Sequence, residues 1–256
     1  MNKIDIIVPS YQSKDLTITC IKSFERYKGL YKFKYIVIEN SNNCSYKDDV
    51  IEQAENVVWI QNYCPEYAYM SSDTNAIALE VGLKYVTSKL VFICHNDVVA
   101  CHPMWMNFLH SKIKEGNSIA GTVLDPSRIN AVHISGLLTY TSLAKSVSMF
   151  PKYKNGSRSA TETHGKSEQV FDVGDEMTQY CRDTGLKYFC CRNTFIQPEL
   201  IDIIKEEKYA KFNVDRALDD YNNVIFMHLG RGTLKTAGTY YKTNRVMLNE
   251  WLSLNY

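Results

Sequence analysis

With 256 residues, 45% hydrophobic and 22% charged, the chain has the composition of an ordinary folded protein and room for one large α/β domain or two small ones. A formal net charge of +1 excludes a global field drawing it to nucleic acid or an acidic membrane, although a local basic patch stays open. The eight cysteines form no C-x-x-C pair and several sit in apolar runs, which suits reduced thiols better than a disulfide framework or a zinc site.

The chain starts on "KIDIIVPSY", a β-rich run closed by Pro9, without the basic and apolar regions of a signal peptide. "SKDLTITCIKSFERY" follows with a helical apolar face and Ser13 as its expected amino-terminal cap. "FKYIVIENSNN" reads as a second strand, "YKDDVIEQAE" as a helix and "NVVWIQN" as a third strand. "SDTNAIALEVGLKYVTS" reads as a helix and "KLVFICHND" as a fourth strand. This alternation predicts a doubly wound, mostly parallel sheet flanked by helices.

Beyond residue 100 the pattern is less regular. "PMWMNFLHSKIKE" reads as a helix, "SIAGTVLDP" as a strand and turn, and "AVHISGLLTYTS" as a strand in which Gly136 marks a bulge or close approach. The stretch 152–169 reads as a mobile polar loop, and "GDEMTQYCRDTGLKYF" as a helix stopped by Gly185. "VIFMHLGRGT" is a strand breaking into a Gly-rich turn, and "NRVMLNEWLSL" an amphipathic helix. No apolar run is long enough to span a bilayer. The expected location is cytoplasmic, with peripheral membrane contact left open.

Ligands of such sheets gather at the carboxyl ends of the strands. Three strands end there in polar residues: Pro9-Ser10-Tyr11, Glu39-Asn40-Ser41 and His95-Asn96-Asp97. Neither G-x-G-x-x-G nor G-x-x-x-x-G-K-[ST] is present, so dinucleotide and P-loop signatures are absent.

The order of these pieces resembles the family 2 type of nucleotide-sugar glycosyltransferase, with its GT-A fold. "IDIIVPSYQSKDLTITCIKSF", "YIVIENSNN", "ALEVGLKYVTSKLVFICHNDVV", "VFDVGDEMTQYCRDTGLKY" and "FMHLGRGT" carry the resemblance over roughly residues 3–235. The chain departs from the family pattern at Glu39, where Asp is usual, at Glu80, where Asn of Asn-x-Gly is usual, and at His95, where the first acid of Asp-x-Asp is usual.

The resemblance implies a GT-A (Rossmann-like) domain over 1–235, with a nucleotide-binding half (1–100), an acceptor-side α+β half (101–235), and a helical tail (236–256). It implies transfer of a sugar from a nucleoside-diphosphate sugar, of UDP or GDP type, to a hydroxyl acceptor such as a glycan, a lipid-linked saccharide or another polymer. The outcome would be inverting, with a divalent cation, Mn2+ or Mg2+, as cofactor. A competing expectation is a degenerate nucleotide-sugar-binding domain without turnover. Basic residues in 152–169 raise a polyanion contact, which the near-neutral charge disfavours.

Asp97 is the candidate metal ligand, the alternative being a turn carboxylate that caps the next helix. His95 would contact metal or ribose, or is a satisfied strand-end histidine; Asn96 is a neutral contact or a turn former. The resemblance makes His228 a second ligand or a diphosphate contact, with Arg231 and the adjacent glycine N–H groups cradling phosphate. It ranks Asp175 first and Asp172 second as general base, although acids also suit a first helical turn. It places Pro9 and Tyr11 around the nucleotide and gives Glu39 a hydrogen bond from base or ribose. His133, Ser135 and Gly136 are either a wall beside the donor sugar or a core strand.

Overall fold

In β1 (Asn2–Ser10) every residue from Ile4 to Val8 is buried, as in a strand covered on both faces. Ile4, Ile6 and Val8 join one apolar cluster and Ile7 another, following the two-residue period of a strand. Helix α1 (Lys14–Arg26) adds Cys20, Ile21 and Phe24 to the first cluster, and α3 (Ser72–Lys84) adds Ala76, Ala78, Leu79 and Leu83 to the second. This computed structural model describes residues 2–41, 45–63, 72–125, 129–153, 169–210, 214–230 and 245–254.

The remaining elements of the first half are β2 (Tyr31–Glu39), α2 (Lys47–Ile51), β3 (Val57–Gln61), β4 (Leu90–Cys94) and β5 (Val98–Ala100). Then come α4 (Trp105–Lys114), β6 (Asn117–Gly121), β7 (Leu124–Asp125), β8 (Ala131–Val132), β9 (Gly136–Tyr140) and α5 (Thr141–Ser146). The chain continues through β10 (Lys152–Tyr153), β11 (Gln169–Phe171), α6 (Asp175–Thr184), β12 (Lys187–Cys190), β13 (Arg192–Asn193) and a 3-10 helix at Pro198–Ile203. It closes with α7 (Glu207–Ala210), β14 (Asp215–Leu218), β15 (Val224–His228) and α8 (Arg245–Leu252).

The main sheet has seven strands in the order β12-β6-β9-β4-β1-β2-β3, parallel except that β9 runs against both of its neighbours. Because β2 and β4 flank β1, the winding reverses there, and in such sheets the ligand crevice lies at the carboxyl ends of the strands at the reversal, here β1 and β4. A second sheet, β13-β14-β15-β5, is wholly antiparallel. Trp105 locks the layers together: its ring stacks on Phe24 at 4.7 Å between centroids, and Phe92 and Phe226 lie at 5.2 and 6.2 Å. Leu248 and Trp251 of α8 are buried with Leu16, Val99, Tyr209 and Met227, so this helix completes a third cluster.

Several sequence expectations change. "KLVFICHND" is not one strand; β4 stops at Cys94 and the chain crosses into β5 of the second sheet. The element after Asp97 is therefore a strand, which removes the helix-cap alternative. "AVHISGLLTYTS" divides into β8, a turn, β9 and the start of α5. Ser13 occupies the amino-terminal cap position of α1, but its side chain makes no capping bond. Gly185 does end α6 in the left-handed conformation at φ 70°. Most of the polar loop 152–169 lies outside the described residues.

Candidate metal centre

Antiparallel pairing of β5 with β15 sets His228 opposite Val98, and Leu229 N–H donates to the Asp97 carbonyl at 2.9 Å. Backbone register thus fixes Asp97 beside His228. His95 hangs from the end of β4, with its N–H directed at the Ser135 carbonyl at 3.4 Å. His95 Nδ1 lies 3.3 Å from His228 Nε2 and 3.9 Å from Asp97 Oδ1, and His228 Nε2 lies 3.5 Å from the same oxygen. A point equidistant from these three atoms is about 2.1 Å from each, the bond length of a divalent ion to histidine nitrogen or carboxylate oxygen. The residues present therefore fit a divalent cation, and together they form a cluster of potential metal ligands.

Charge is unevenly shared within the cluster. Burial pulls His228 down, but Asp97 and Asp215 outweigh it and raise its pKa to about 9. His95 is pushed down to about 4 by burial and by the neighbouring His228, against the pull of Asp97. At neutral pH the metal-free cluster thus carries an imidazolium at His228 and a neutral ring at His95. The His133 ring lies 5.4 Å from that of His95 and 6.0 Å from that of His228, centroid to centroid, and its Nδ1 accepts from Ser135 N–H at 3.1 Å.

Two polar neighbours escaped the sequence reading. Asp215 pairs in register with His228 across β14 and β15, with Oδ2 3.6 Å from His228 Nδ1. Asn75, in the first turns of α3, places its amide 3.0 Å from His95 Nε2. Neither had a sequence signal, because only register and helix docking bring them to the cluster.

Pro9, Tyr11, Glu39 and Asn96 lie at the carboxyl ends of β1, β2 and β4. Glu39 is fully buried: Oε1 accepts from the N–H groups of Gln12 at 3.1 Å and Ser41 at 2.9 Å, and Oε2 accepts from Tyr46 Oη–H. Gln12 reaches it from a left-handed backbone, φ 48°, in the turn after β1. Asn96 is buried, and its amide donates to Ser13 Oγ at 2.5 Å and Thr17 Oγ1 at 3.2 Å, tying the β4–β5 crossing to the first turn of α1. That explains why Ser13 does not cap. Pro9 and Tyr11 are half-buried beside this network.

Gly174 opens α6 so close to Ile134 that a Cβ would lie 2.3 Å from its Cγ2, which sets the start of α6 against the segment bordering His95. Asp175 is buried and accepts from Asp172 N–H at 2.8 Å; Asp172 Oδ1 accepts from Val173 N–H at 2.8 Å. Arg231 lies outside the described residues.

A mannosyltransferase from Pyrobaculum calidifontis, determined in complex with GDP-Man and Mn2+, superposes on this chain with a TM-score of 0.51 at 14% identity, covering 73% of this chain and 54% of that one. The chain has a GT-A-like fold. It spans about half the length of that mannosyltransferase chain. Glucosyl-3-phosphoglycerate synthase from Mycobacterium tuberculosis, in complex with Mg2+ and uridine-diphosphate, matches at 12% identity and a TM-score of 0.46 over 74% of this chain and 69% of its own. TarS 1-349 of S. aureus matches at 14% identity and a TM-score of 0.43 over 62% and 52%. No family model and no curated protein matches the sequence. Among the described residues no helix is long and apolar enough to cross a membrane.

Proposed function

We propose that the protein is a metal-dependent glycosyltransferase that moves a sugar from a nucleoside-diphosphate sugar to a hydroxyl acceptor. The observation that carries this reading is the convergence of His95, Asp97 and His228 on one cation-sized point beside the switch crevice of the sheet. Those three residues would hold the ion. When bound, a divalent cation neutralises the charge of a leaving diphosphate. Two imidazoles among three donors favour a transition ion such as Mn2+ over Mg2+, which prefers oxygen ligands.

The rest of the chemistry falls to the chain. Pro9 and Tyr11 would line the nucleotide end of the crevice, with the buried Glu39 behind them holding the turns after β1 and β2, and Asn96 would hold the β4–β5 crossing in place through its bonds to α1. Arg231 would add a cationic contact to the phosphates. Asp175 or Asp172 would accept the proton of the acceptor hydroxyl, the second being the more exposed of the two. Residues 1–100 would thus serve the donor and 101–235 the acceptor, with inversion at the anomeric carbon. The acceptor class stays that of a glycan, a lipid-linked saccharide or another hydroxyl-bearing polymer.

One observation favours a second reading, a nucleotide-sugar-binding module without turnover: Asp175 and Asp172 already accept backbone N–H groups at the start of α6. A panel of UDP and GDP sugars with Mn2+, scored for donor consumption, separates the two. The enzyme reading predicts consumption of at least one donor, falling at least 100-fold in Asp97→Ala. Binding without consumption favours the module, and no binding of any donor contradicts both.

A further inference from the structure

We infer that Asp215 and Asn75 are positioning residues for the metal ligands, each holding one imidazole in the tautomer that turns a bare nitrogen toward the cation. This inference rests on the metal reading of the same cluster. An imidazole ligates through one nitrogen only when the proton sits on the other, and the hydrogen-bond partner of that other nitrogen sets the choice.

For His228 the ligating atom is Nε2, which faces Asp97 and His95. Nδ1 is buried and has no hydrogen-bond partner at bonding length; Asp215 Oδ2 stands 3.6 Å away. Asp215 is held there by the strand register that pairs it with His228, while its side chain keeps 29% exposure and can shift to shorten the contact. A carboxylate behind the distal nitrogen of a ligating histidine keeps the proton on that nitrogen and makes the other a better donor.

For His95 the ligating atom is Nδ1, and Nε2 faces the Asn75 amide at 3.0 Å. With Nδ2 nearest, Asn75 donates to Nε2 and the proton rests on Nδ1, where it points at His228. Rotating the amide by half a turn puts Oδ1 there instead, an atom that is otherwise buried without a partner. It then accepts from Nε2–H, and Nδ1 is left bare. This second orientation also suits the metal-free cluster, in which the His228 Nε2–H needs a bare His95 Nδ1 to accept it.

Titration of the full chain with Co2+, followed by its visible absorption without nucleotide, tests the assignment. Asp215→Asn is expected to weaken Co2+ binding 10- to 100-fold, Asp215→Glu to restore most of it, and Asn75→Ala to weaken it in the same range. Wild-type affinity in both Asp215→Asn and Asn75→Ala overturns the inference while leaving the metal site standing. Wild-type protein that binds no Co2+ overturns the metal reading itself. If the Asp215 variants do not fold, imidazole 15N shifts of the metal-bound wild type decide: a proton on His228 Nδ1 supports the assignment, and a bare Nδ1 overturns it.

Discussion

His228 stands between two carboxylates, Asp97 and Asp215, and this makes it the charge centre of the metal-free protein. Its pKa, raised to about 9 from the ordinary 6.5, means that the folded state holds the proton more tightly than the unfolded chain does. The resulting stabilisation is complete below about pH 6.5 and is lost as pH rises through about 9. Metal-free protein should therefore lose thermal stability between pH 7 and 9.5, and His228→Gln should show a flatter profile across that window. Parallel profiles for the two would contradict the assigned charge. At this scale the sequence is partly legible. Asp97 and His95 stand out because an apolar strand ends in them, and His228 only through the family resemblance of "FMHLGRGT". Asp215 and Asn75 do not, since each reaches the cluster through pairing or docking that no local pattern encodes.

Among elements, β1 to β4 and their helices are readable because buried strands and amphipathic helices alternate with a clear period. Of the second sheet only β15, in "VIFMHLGRGT", is readable. The strands of this sheet are two to five residues long, and β14 carries Asp215 and Arg216 side by side, which hides any two-residue period. Arg216 is nonetheless buried, because its guanidinium donates to the carbonyls of Tyr209, Val214 and Ala210. Gly136 is a site where sequence and structure agree. At the start of β9 a Cβ would lie 2.6 Å from Thr122 Oγ1 and 2.8 Å from the Phe226 ring, so the glycine lets the main sheet approach β15 of the second. Gly136→Val should overpack this junction and cost about 1–3 kcal/mol, read as a lower midpoint in urea unfolding. An unchanged midpoint would mean that the two sheets do not press together there.

For the molecule as a whole, the parallel pairing of β1 with β2 and β4 brings their carboxyl ends to one edge, and the second sheet carries His228 to the same edge. The first half of that arrangement follows from the βα alternation in the sequence. The second half depends on the chain leaving the main sheet at Cys94, which the apolar run through "VFIC" conceals. At this edge His95, Asp97 and His228 would join a divalent ion to a nucleoside diphosphate. Calorimetric titration of UDP and GDP, with and without Mn2+, into wild-type protein and Asp97→Ala tests it most directly. At least one nucleotide is expected to bind the wild type at least tenfold more tightly with Mn2+, and Asp97→Ala is expected to lose this gain. Nucleotide binding that ignores Mn2+, or a gain that survives in Asp97→Ala, would contradict it.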